Sequence, residues 1–375
     1  MIEYTLIDSD DELRRQCRKI EVHPKIAMDI EADSMHHYKE RVCLIQIADP
    51  ERHYLIDPLG IKDFSPLKPI CENSGITKVF HGGDFDIRSI DRDFDIRIDN
   101  LFDTEIACRF LGIHKRSLAA LLKKHFNLSM DKRFQKTDWS KRPLSKDMIT
   151  YSINDVAYLL ELANILEKKL RDSGRLEWAR EEFELQSRVK YEKNGDEPLF
   201  LKFKGAGKMG RESLGVLESL LKMRDSIAEN KNLPHFKIMG NDTLSALTQK
   251  RPVNIQQLRE SGILTAKQVS MYGKACVDAV LEGMAIPGNS LPIYPSSRRP
   301  GNRPDMAGRI NILKGIRASF SRNTGIETGF LMNNATINAV ASANPKNTEE
   351  LMQIKGTRKW QIELMGQRII ESLRI

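Results

Sequence analysis

The stretch KIAMDIEA, residues 25–32, places two carboxylates one residue apart within an apolar run. Side chains alternate between the two faces of a strand, so Asp29 and Glu31 project to one side while their apolar neighbours face the core. Two adjacent anions repel each other, and an exposed strand end in water tolerates such a pair. A shared cation is the alternative, because hard divalent metals such as Mg²⁺ take carboxylate oxygens as ligands. The stretch by itself leaves both interpretations open.

The sequence around this stretch predicts a mixed α/β sheet with helices against its faces. Short apolar runs bounded by turn residues predict strands at 25–32, 42–48, 53–57, 76–80 and 97–104. Helical spacing predicts helices at 66–75, 85–94 and 117–126, and one long helix from Lys146 to about Leu170. Three strands followed by alternating helices and strands are typical of such a mixed sheet.

Length and composition indicate a globular chain of two or three domains. The 375 residues exceed what one compact core usually holds, and the 40% hydrophobic and 29% charged fractions are ordinary for soluble domains. No apolar run approaches the ~18 residues of a membrane helix. The acidic N-terminal stretch lacks a secretory pattern, and the five cysteines form no CxxC pair. We therefore expect a reducing cytoplasmic location, no membrane partner and neither a zinc knuckle nor a disulfide framework.

Charge is distributed unevenly along the chain. Residues 1–200 hold 33 Lys plus Arg against 37 Asp plus Glu, whereas residues 201–375 hold 26 against 14. A basic half joined to a mildly acidic half suggests that one part contacts a polyanion while the other needs carboxylates.

The second half contains an internal repeat. Residues 213–282 and 306–375 align without a gap at an offset of 93, which predicts two small all-helical domains of one fold at 211–284 and 306–375, both basic. A Gly- and Lys-rich stretch at 187–210 and a Pro-rich stretch at 285–305 are predicted to be linkers, the second extended and semi-rigid. The first domain is expected to span residues 1–186. Identical pairs in the repeat include Leu220 and Leu313, Arg224 and Arg317, Asn241 and Asn334, Pro252 and Pro345, and Gly273 and Gly366.

Two later segments supply further carboxylates. VFHGGDFDIRSI predicts a strand, a glycine turn and a helix, in which we assign Asp84 to the helix cap and expect Asp86 to point back toward the sheet. In YSINDVAYLL, Tyr151 and Asp155 are four residues apart and share one helical face. One cation site could thus collect four carboxylates.

These segments together resemble the motifs of a known family. The DxE pair at 29–31, the H-x4-D segment at 81–86 and the Y-x3-D helix at 151–155 are similar to the DEDDy branch of 3′-to-5′ exonucleases. The whole chain resembles the ribonuclease D family, and the two helical copies resemble HRDC domains. The resemblance implies a ribonuclease H-like DEDD exonuclease fold followed by two HRDC-type domains. Further matching segments are DTEIACRFLG (103–112), SLAALL (117–122) and QKTDWSKRPL (135–144).

The resemblance also implies a site and an activity. Asp29, Glu31, Asp86 and Asp155 would hold two divalent ions, Mg²⁺ or Mn²⁺, and Tyr151 would orient the attacking water. The expected activity is a metal-dependent 3′-to-5′ exoribonuclease that releases 5′-nucleoside monophosphates, acting in 3′ maturation of tRNA and other stable RNA precursors. Its partner would be RNA with a free 3′ end, contacted by the basic HRDC domains, and the protein is expected to be a monomer.

Several alternatives stay open on sequence alone. The chain could be a 3′-to-5′ DNA exonuclease in repair, or a nucleic-acid-binding protein without activity. The helical domains could be spacers packed on the nuclease domain. His81 is interpreted as a hydrogen-bonded residue at a strand end rather than a proton shuttle. Trp139 is interpreted as a packing anchor, with stacking on a base as the alternative. Family members often carry threonine at position 30, where this chain has Ile30.

Overall fold

The computed structural model describes residues 3–131, 133–192, 195, 197–295 and 304–374. These residues form two compact units. The first comprises the described parts of Met1–Ala32, Arg41–Tyr191 and Pro300–Ile375, and the second those of Asp33–Glu40 and Glu192–Arg299. Within the described ranges, no helix is both long and apolar enough to cross a membrane.

A six-stranded mixed sheet forms the centre of the first unit. Its strands are β1 (Tyr4–Ile7), β2 (Lys25–Ala32), β3 (Val42–Ala48), β4 (His53–Ile56), β5 (Thr77–Phe80) and β6 (Leu101–Asp103). Their order across the sheet is β1-β4-β3-β2-β5-β6. The pairs β2–β3 and β3–β4 are antiparallel, and the other neighbours are parallel. The predicted fold class is confirmed.

Within the described residues before Tyr191, eight α-helices accompany this sheet. They are α1 (Asp10–Ile20), α2 (Lys68–Cys71), α3 (Asp84–Phe94), α4 (Thr104–Phe110), α5 (Leu118–Phe126), α6 (Lys146–Ala157), α7 (Leu159–Asp172) and α8 (Leu176–Ser187). The prediction of a single long helix from Lys146 is wrong, because the helix is interrupted at Tyr158, which has a non-helical backbone (φ −113°, ψ 5°). The break redirects the chain, since α6 packs on β2, β3 and β4 while α7 packs on β2, β5 and α4.

The helical repeat is present in the structure. The first copy, in the second unit, consists of α9 (Arg211–Lys231), α10 (His235–Ile238), α11 (Asn241–Lys250), α12 (Ile255–Glu260) and α13 (Ala266–Met284). The second copy consists of α14 (Pro304–Thr324), α15 (Thr328–Leu331), α16 (Asn334–Ala343), α17 (Thr348–Met352) and α18 (Lys359–Leu373). Every helix of the second copy begins 93 residues after its counterpart.

Both copies contain the same internal arginine contact. Arg224 donates to the carbonyl of Met239 (3.1 Å) and to Asn241 Oδ1 (2.8 Å). Its counterpart Arg317 donates to the carbonyl of Met332 (2.7 Å) and to Asn334 Oδ1 (3.1 Å). The repeat therefore extends to side-chain geometry.

Part of the segment predicted to be the first linker is packed rather than free. Phe200, Phe203 and Ala206 lie in the core of the second unit, on two short 3₁₀ helices at Leu199–Lys202 and Ala206–Lys208. Helices of this kind lack the 3.6-residue period, so the apolar pattern gave no signal. Within the predicted second linker, residues 296–303 lie outside the described residues.

The second copy packs on the sheet-containing part of its own unit. The ring of Phe110 in α4 lies 5.0 Å from that of Phe330 and 5.0 Å from that of Trp360. Trp360 also donates from Nε1 to Glu182 Oε1 at 2.8 Å. Phe110 and Trp360 belong to one hydrophobic core that includes residues of the sheet, and Phe330 packs against that core. For this copy, packing on the domain that contains the sheet is an observed property.

Candidate active site

The carboxyl half of β2 extends past its neighbour β5. The two strands pair only over Lys25–Ala27, whereas β3 accompanies β2 as far as Ala32. The backbone N–H of Ile30 instead interacts with the carboxylate of Asp86 and lowers its pKa. The Ile30 side chain is 7% exposed and belongs to the core. The site therefore forms where β2 leaves the β5 side of the sheet.

A tight glycine turn brings Asp86 to this position. Gly82 has φ +72°, a left-handed conformation that side chains disfavour, and a Cβ on Gly83 would lie 2.9 Å from the Cβ of Phe80. Helix α3 begins directly after this turn, and Asp86 is buried in its first turn. The expectation that Asp84 caps this helix is wrong. Gly83 is the N-cap, and Asp84 pairs with Arg88 one helical turn later.

Asp103 is a residue that the sequence analysis missed. It is 1% exposed, and its carboxylate accepts hydrogen bonds from the N–H groups of Gly82 (3.0 Å) and Gly83 (2.8 Å). It also caps α4 by accepting from the N–H groups of Glu105 and Ile106. Asp103 thus ties the turn before Asp86 to the end of β6. An aspartate directly before a helical run is an N-cap signal in the sequence. Its hydrogen bonds to a turn 20 residues earlier produce no sequence signal.

Helix α6 supplies the last two predicted residues. Ser145 caps this helix by accepting from the N–H of Met148. Tyr151 is half-buried, with its ring 5.7 Å from that of Phe134 and 6.1 Å from that of Trp139. Asp155 is 9% exposed.

Three of the four predicted carboxylates form one close group, which does not include Asp86. Oxygen atoms of Asp29, Glu31 and Asp155 all lie within 4.8 Å of one another. Asp86 interacts electrostatically with all three. Such a cluster of oxygen donors in a partly buried place fits a hard divalent cation, which would balance charges that otherwise repel.

The pKa values reflect this crowding. Burial raises the pKa of Asp29 well above its usual range, and the charges of Asp86, Asp155 and Glu31 raise it further. Burial likewise raises the pKa of Glu31, together with Asp155 and Asp86.

The two more deeply buried carboxylates behave in the same way. Burial raises the pKa of Asp86 to about 7, although the N–H groups of Asp86 and Ile30 oppose the shift. Burial and the charge of Asp86 raise the pKa of Asp155 to about 7. The cluster therefore holds protons near neutral pH unless a cation replaces them.

Tyr151 responds to the same charges. Burial raises the pKa of its hydroxyl, and the neighbouring Asp155, Glu31 and Asp29 raise it further. The phenol consequently stays protonated at neutral pH, which leaves it able to donate a hydrogen bond.

A cavity of about 270 Å³ adjoins Tyr151 and Asp155. Its other lining residues include His81, Ser117, Leu118 and Gln135. His81 directly follows β5. Its position is fixed by a hydrogen bond, because its Nδ1 lies 2.8 Å from Thr104 Oγ1 at the start of α4. This is the hydrogen-bonded strand-end role predicted for it.

The segment before α6 acts as a support for the site. Trp139 is 2% exposed and packs with Tyr151, as expected for a packing anchor. Arg142 donates to the carbonyls of Cys43 (2.7 Å) and Trp139 (2.8 Å) and pairs with Asp57. The segment is thereby fastened to β3 and to the loop after β4.

Comparison with known proteins agrees with this architecture. Residues 4–171 match the 3′-5′ exonuclease family, and residues 213–280 and 306–373 each match the HRDC domain. Ribonuclease D of Haemophilus influenzae is 30% identical over 292 residues, which cover 77% of this chain and 73% of that protein. Ribonuclease D of Sphingobium indicum is 28% identical over 373 residues, covering 98% and 94%.

A solved structure is similar over the same span. The crystal structure of Escherichia coli RNase D, described as an exoribonuclease involved in structured RNA processing, has a TM-score of 0.78 and 26% identity. The match covers 100% of this chain and 99% of that one. A mixed sheet whose carboxylates meet beside a tyrosine, followed by two HRDC domains, defines a 3′-to-5′ exonuclease with C-terminal HRDC domains. The similarity to full-length relatives is more specific, and the chain belongs to the ribonuclease D family.

Proposed function

We propose that the protein removes nucleotides one at a time from RNA 3′ ends and releases 5′-nucleoside monophosphates. The observation that carries this proposal is the meeting of Asp29, Glu31 and Asp155 oxygens within 4.8 Å on the exonuclease fold. The names of its relatives favour RNA as the substrate.

Two divalent ions, Mg²⁺ or Mn²⁺, are the proposed cofactors, held by Asp29, Glu31, Asp86 and Asp155. When bound, such ions stabilise the charge that develops during phosphodiester hydrolysis and make water a better nucleophile. The carboxylates fix the site on three elements, β2, α3 and α6. The interaction of the Ile30 N–H with the Asp86 carboxylate links the first two of these.

Tyr151 is proposed to orient the attacking water through its hydroxyl. Its raised pKa supports hydrogen-bond donation or acceptance rather than proton abstraction at neutral pH. The ring contacts with Phe134 and Trp139 hold the phenol in one orientation. The cavity beside Tyr151 and Asp155 is the proposed place for the 3′-terminal nucleotide.

The physiological assignment is also a proposal. The relatives support maturation of structured RNA, for which tRNA precursors are our specific expectation. A cytoplasmic monomer with a nuclease domain at 1–186 and HRDC domains at 211–284 and 306–375 is the arrangement we expect. The matched ranges of the family descriptions lie inside these three boundaries.

The test uses matched RNA and DNA strands labelled at the 5′ end, incubated with the full chain and Mg²⁺, Mn²⁺ or EDTA. We expect RNA to shorten in single-nucleotide steps with either metal, and to stay intact in EDTA or when its 3′ hydroxyl is blocked. Faster shortening of DNA would establish the DNA exonuclease alternative. Binding without hydrolysis under every metal condition would identify an inactive nucleic-acid-binding protein.

A further inference from the structure

The two helical copies use one face in different ways. In the second copy, this face contains Phe330 of α15 and Trp360 of α18, whose rings lie 5.9 Å apart. Both rings pack on Phe110 of the nuclease part. The backbone N–H of Trp360 donates to Glu181 at 2.9 Å. We call this the docking face.

Ion pairs complete the docking face at its edge. Glu327 accepts from Arg116 at 2.8 and 3.2 Å, and Arg116 is also paired with Glu105. Arg358 pairs with Glu182 at 3.1 Å. In this copy, the face is thus covered by protein and is not available to another partner.

The equivalent face of the first copy has different chemistry. At the offset of 93, Lys237 takes the place of Phe330 and Lys267 the place of Trp360. Both lysines are exposed, as is Lys274 two turns further along α13. None of the first-copy residues equivalent to Glu327, Phe330, Arg358, Trp360 and Glu363 is acidic. The same scaffold therefore presents positive charge where the second copy presents aromatic rings.

An aromatic side chain accompanies these lysines. Phe236, next to Lys237 on α10, is 53% exposed. Lysines beside an exposed aromatic ring suit a single strand of nucleic acid, because phosphates pair with the cations and a base can stack on the ring. A protein partner fits less well, since lysine is depleted in the buried parts of protein interfaces.

We propose that Phe236, Lys237, Lys267 and Lys274 form an RNA-binding surface of the first copy, which we call the lysine face. This proposal rests on the proposed function only for the choice of RNA as the nucleic acid. It also assigns different tasks to the two copies: the second completes the folded core, and the first contacts the substrate strand.

Lys250 is the control position, because it lies at the other end of the same domain. Two contacts define that end. Gly283, near the end of α13, packs so closely on α9 that a Cβ there would lie 2.4 Å from the Cα of Val216. Arg251 bonds to Glu212 at the start of α9, so the neighbouring exposed residue Lys250 belongs to this end as well. Lys267 is 16 residues earlier on α13, ~24 Å along the helix axis.

The test measures binding of a labelled hairpin RNA with a single-stranded 3′ tail to the full chain, by fluorescence anisotropy in EDTA. Lys237→Glu and Lys267→Glu should each raise Kd about tenfold at low salt and lower the slope of log Kd against log salt by about 0.7. Phe236→Ala should raise Kd about fivefold or more. Lys250→Glu should stay within about twofold of the parent, and Lys237→Arg should retain binding.

Several outcomes overturn the lysine face. Charge reversals that change Kd no more than Lys250→Glu, with unchanged thermal melting, remove it. A concentration-dependent dimer that Lys267→Glu abolishes while RNA affinity is unchanged would assign the face to a second copy of the chain. Failure of the proposed function has a different signature, because it appears as absent hydrolysis by the parent chain with Mg²⁺, whatever the binding result.

Discussion

The carboxylate of Asp103 accepts a hydrogen bond from the backbone N–H of Gly83 over 2.8 Å, across 20 residues of sequence. Because Gly83 is the N-cap of α3, this bond fixes the start of the helix that carries Asp86. Four N–H groups in total depend on the Asp103 side chain.

Replacement of Asp103 should therefore affect both stability and the site. We expect Asp103→Ala to lower the free energy of unfolding by about 3 kcal/mol or more, because buried N–H groups lose their acceptor. Hydrolysis with Mg²⁺ should fall as α3 loses its anchor. Asp84→Ala is the matched control: its exposed pair with Arg88 should contribute less than about 1 kcal/mol. Equal losses in urea unfolding for the two variants would contradict the anchoring role.

Tyr151→Phe tests the role of the hydroxyl while preserving the ring contacts. We expect turnover to fall ~10²- to 10³-fold, the usual effect of losing one well-placed hydrogen-bonding group. Mg²⁺ binding, measured by calorimetry, should change little because the substitution leaves the carboxylates of Asp29, Glu31 and Asp155 unchanged. Tyr158→Phe, in the break between α6 and α7 and packed on Phe126, should leave turnover unchanged. Near-normal turnover of Tyr151→Phe would remove the orienting role.

The raised pKa of Asp155 makes metal-free stability depend on pH. A carboxylate with a folded pKa of about 7 and an ordinary value of 3.8 holds its proton more tightly in the folded chain. The unfolding free energy therefore falls as pH rises between these values and levels off above pH 7. In EDTA, Asp155→Asn should melt higher than the parent, with a gap that widens from pH 5 to pH 7.

Two comparisons accompany this measurement. Hydrogen bonds from the N–H groups of Lys62 and Asp63 lower the pKa of Asp10, so an Asp10→Asn gap should be constant over pH 5–8. Saturating Mg²⁺ should reverse the sign of the Asp155→Asn effect, because the parent alone offers the full set of ligands. A gap for Asp155→Asn that does not change with pH would argue against its protonation in the metal-free chain.

Trp360→Ala should destabilise the first unit. Removing a fully buried indole commonly costs ~3–5 kcal/mol, and here it also leaves Glu182 without its Nε1 donor. Lys267→Ala, at the equivalent position of the first copy, should change stability by less than about 0.5 kcal/mol because the side chain is exposed. Differential scanning calorimetry of the two variants gives the comparison, and equal melting shifts would contradict the structural difference between the copies.

The features that sequence predicted are those with a local pattern. Alternation located β2 with Asp29 and Glu31, and four-residue spacing placed Tyr151 with Asp155 on one helix. The sequence predicted one strand over 97–104, but Asn100 interrupts the extended backbone with φ +51°. The strand β6 therefore begins after it and covers only Leu101–Asp103. The short edge strand β1 was missed because its pairing with β4 bridges almost 50 residues.

Long-range contacts explain the remaining differences. The bonds of Asp103 to the glycine turn depend on how β5 and β6 are paired, which no local pattern records. The docking of the second copy depends on Phe110 and Glu182, far away in sequence. The repeat itself was visible in the sequence. The sequence did not indicate which copy would pack on the domain that contains the sheet.

The docking face of the second copy limits what can be learned by deleting the two helical copies. A chain shortened to the nuclease part would expose Phe110 and release Glu182 from its partners, and newly exposed apolar surface promotes aggregation. Weak RNA binding by such a fragment would then report damage to the nuclease as much as loss of a binding module. Duplication has separated two constraints on one scaffold. Changes on the docking face of the second copy are limited by folding, whereas the equivalent positions of the first copy are exposed and can change charge without loss of the core.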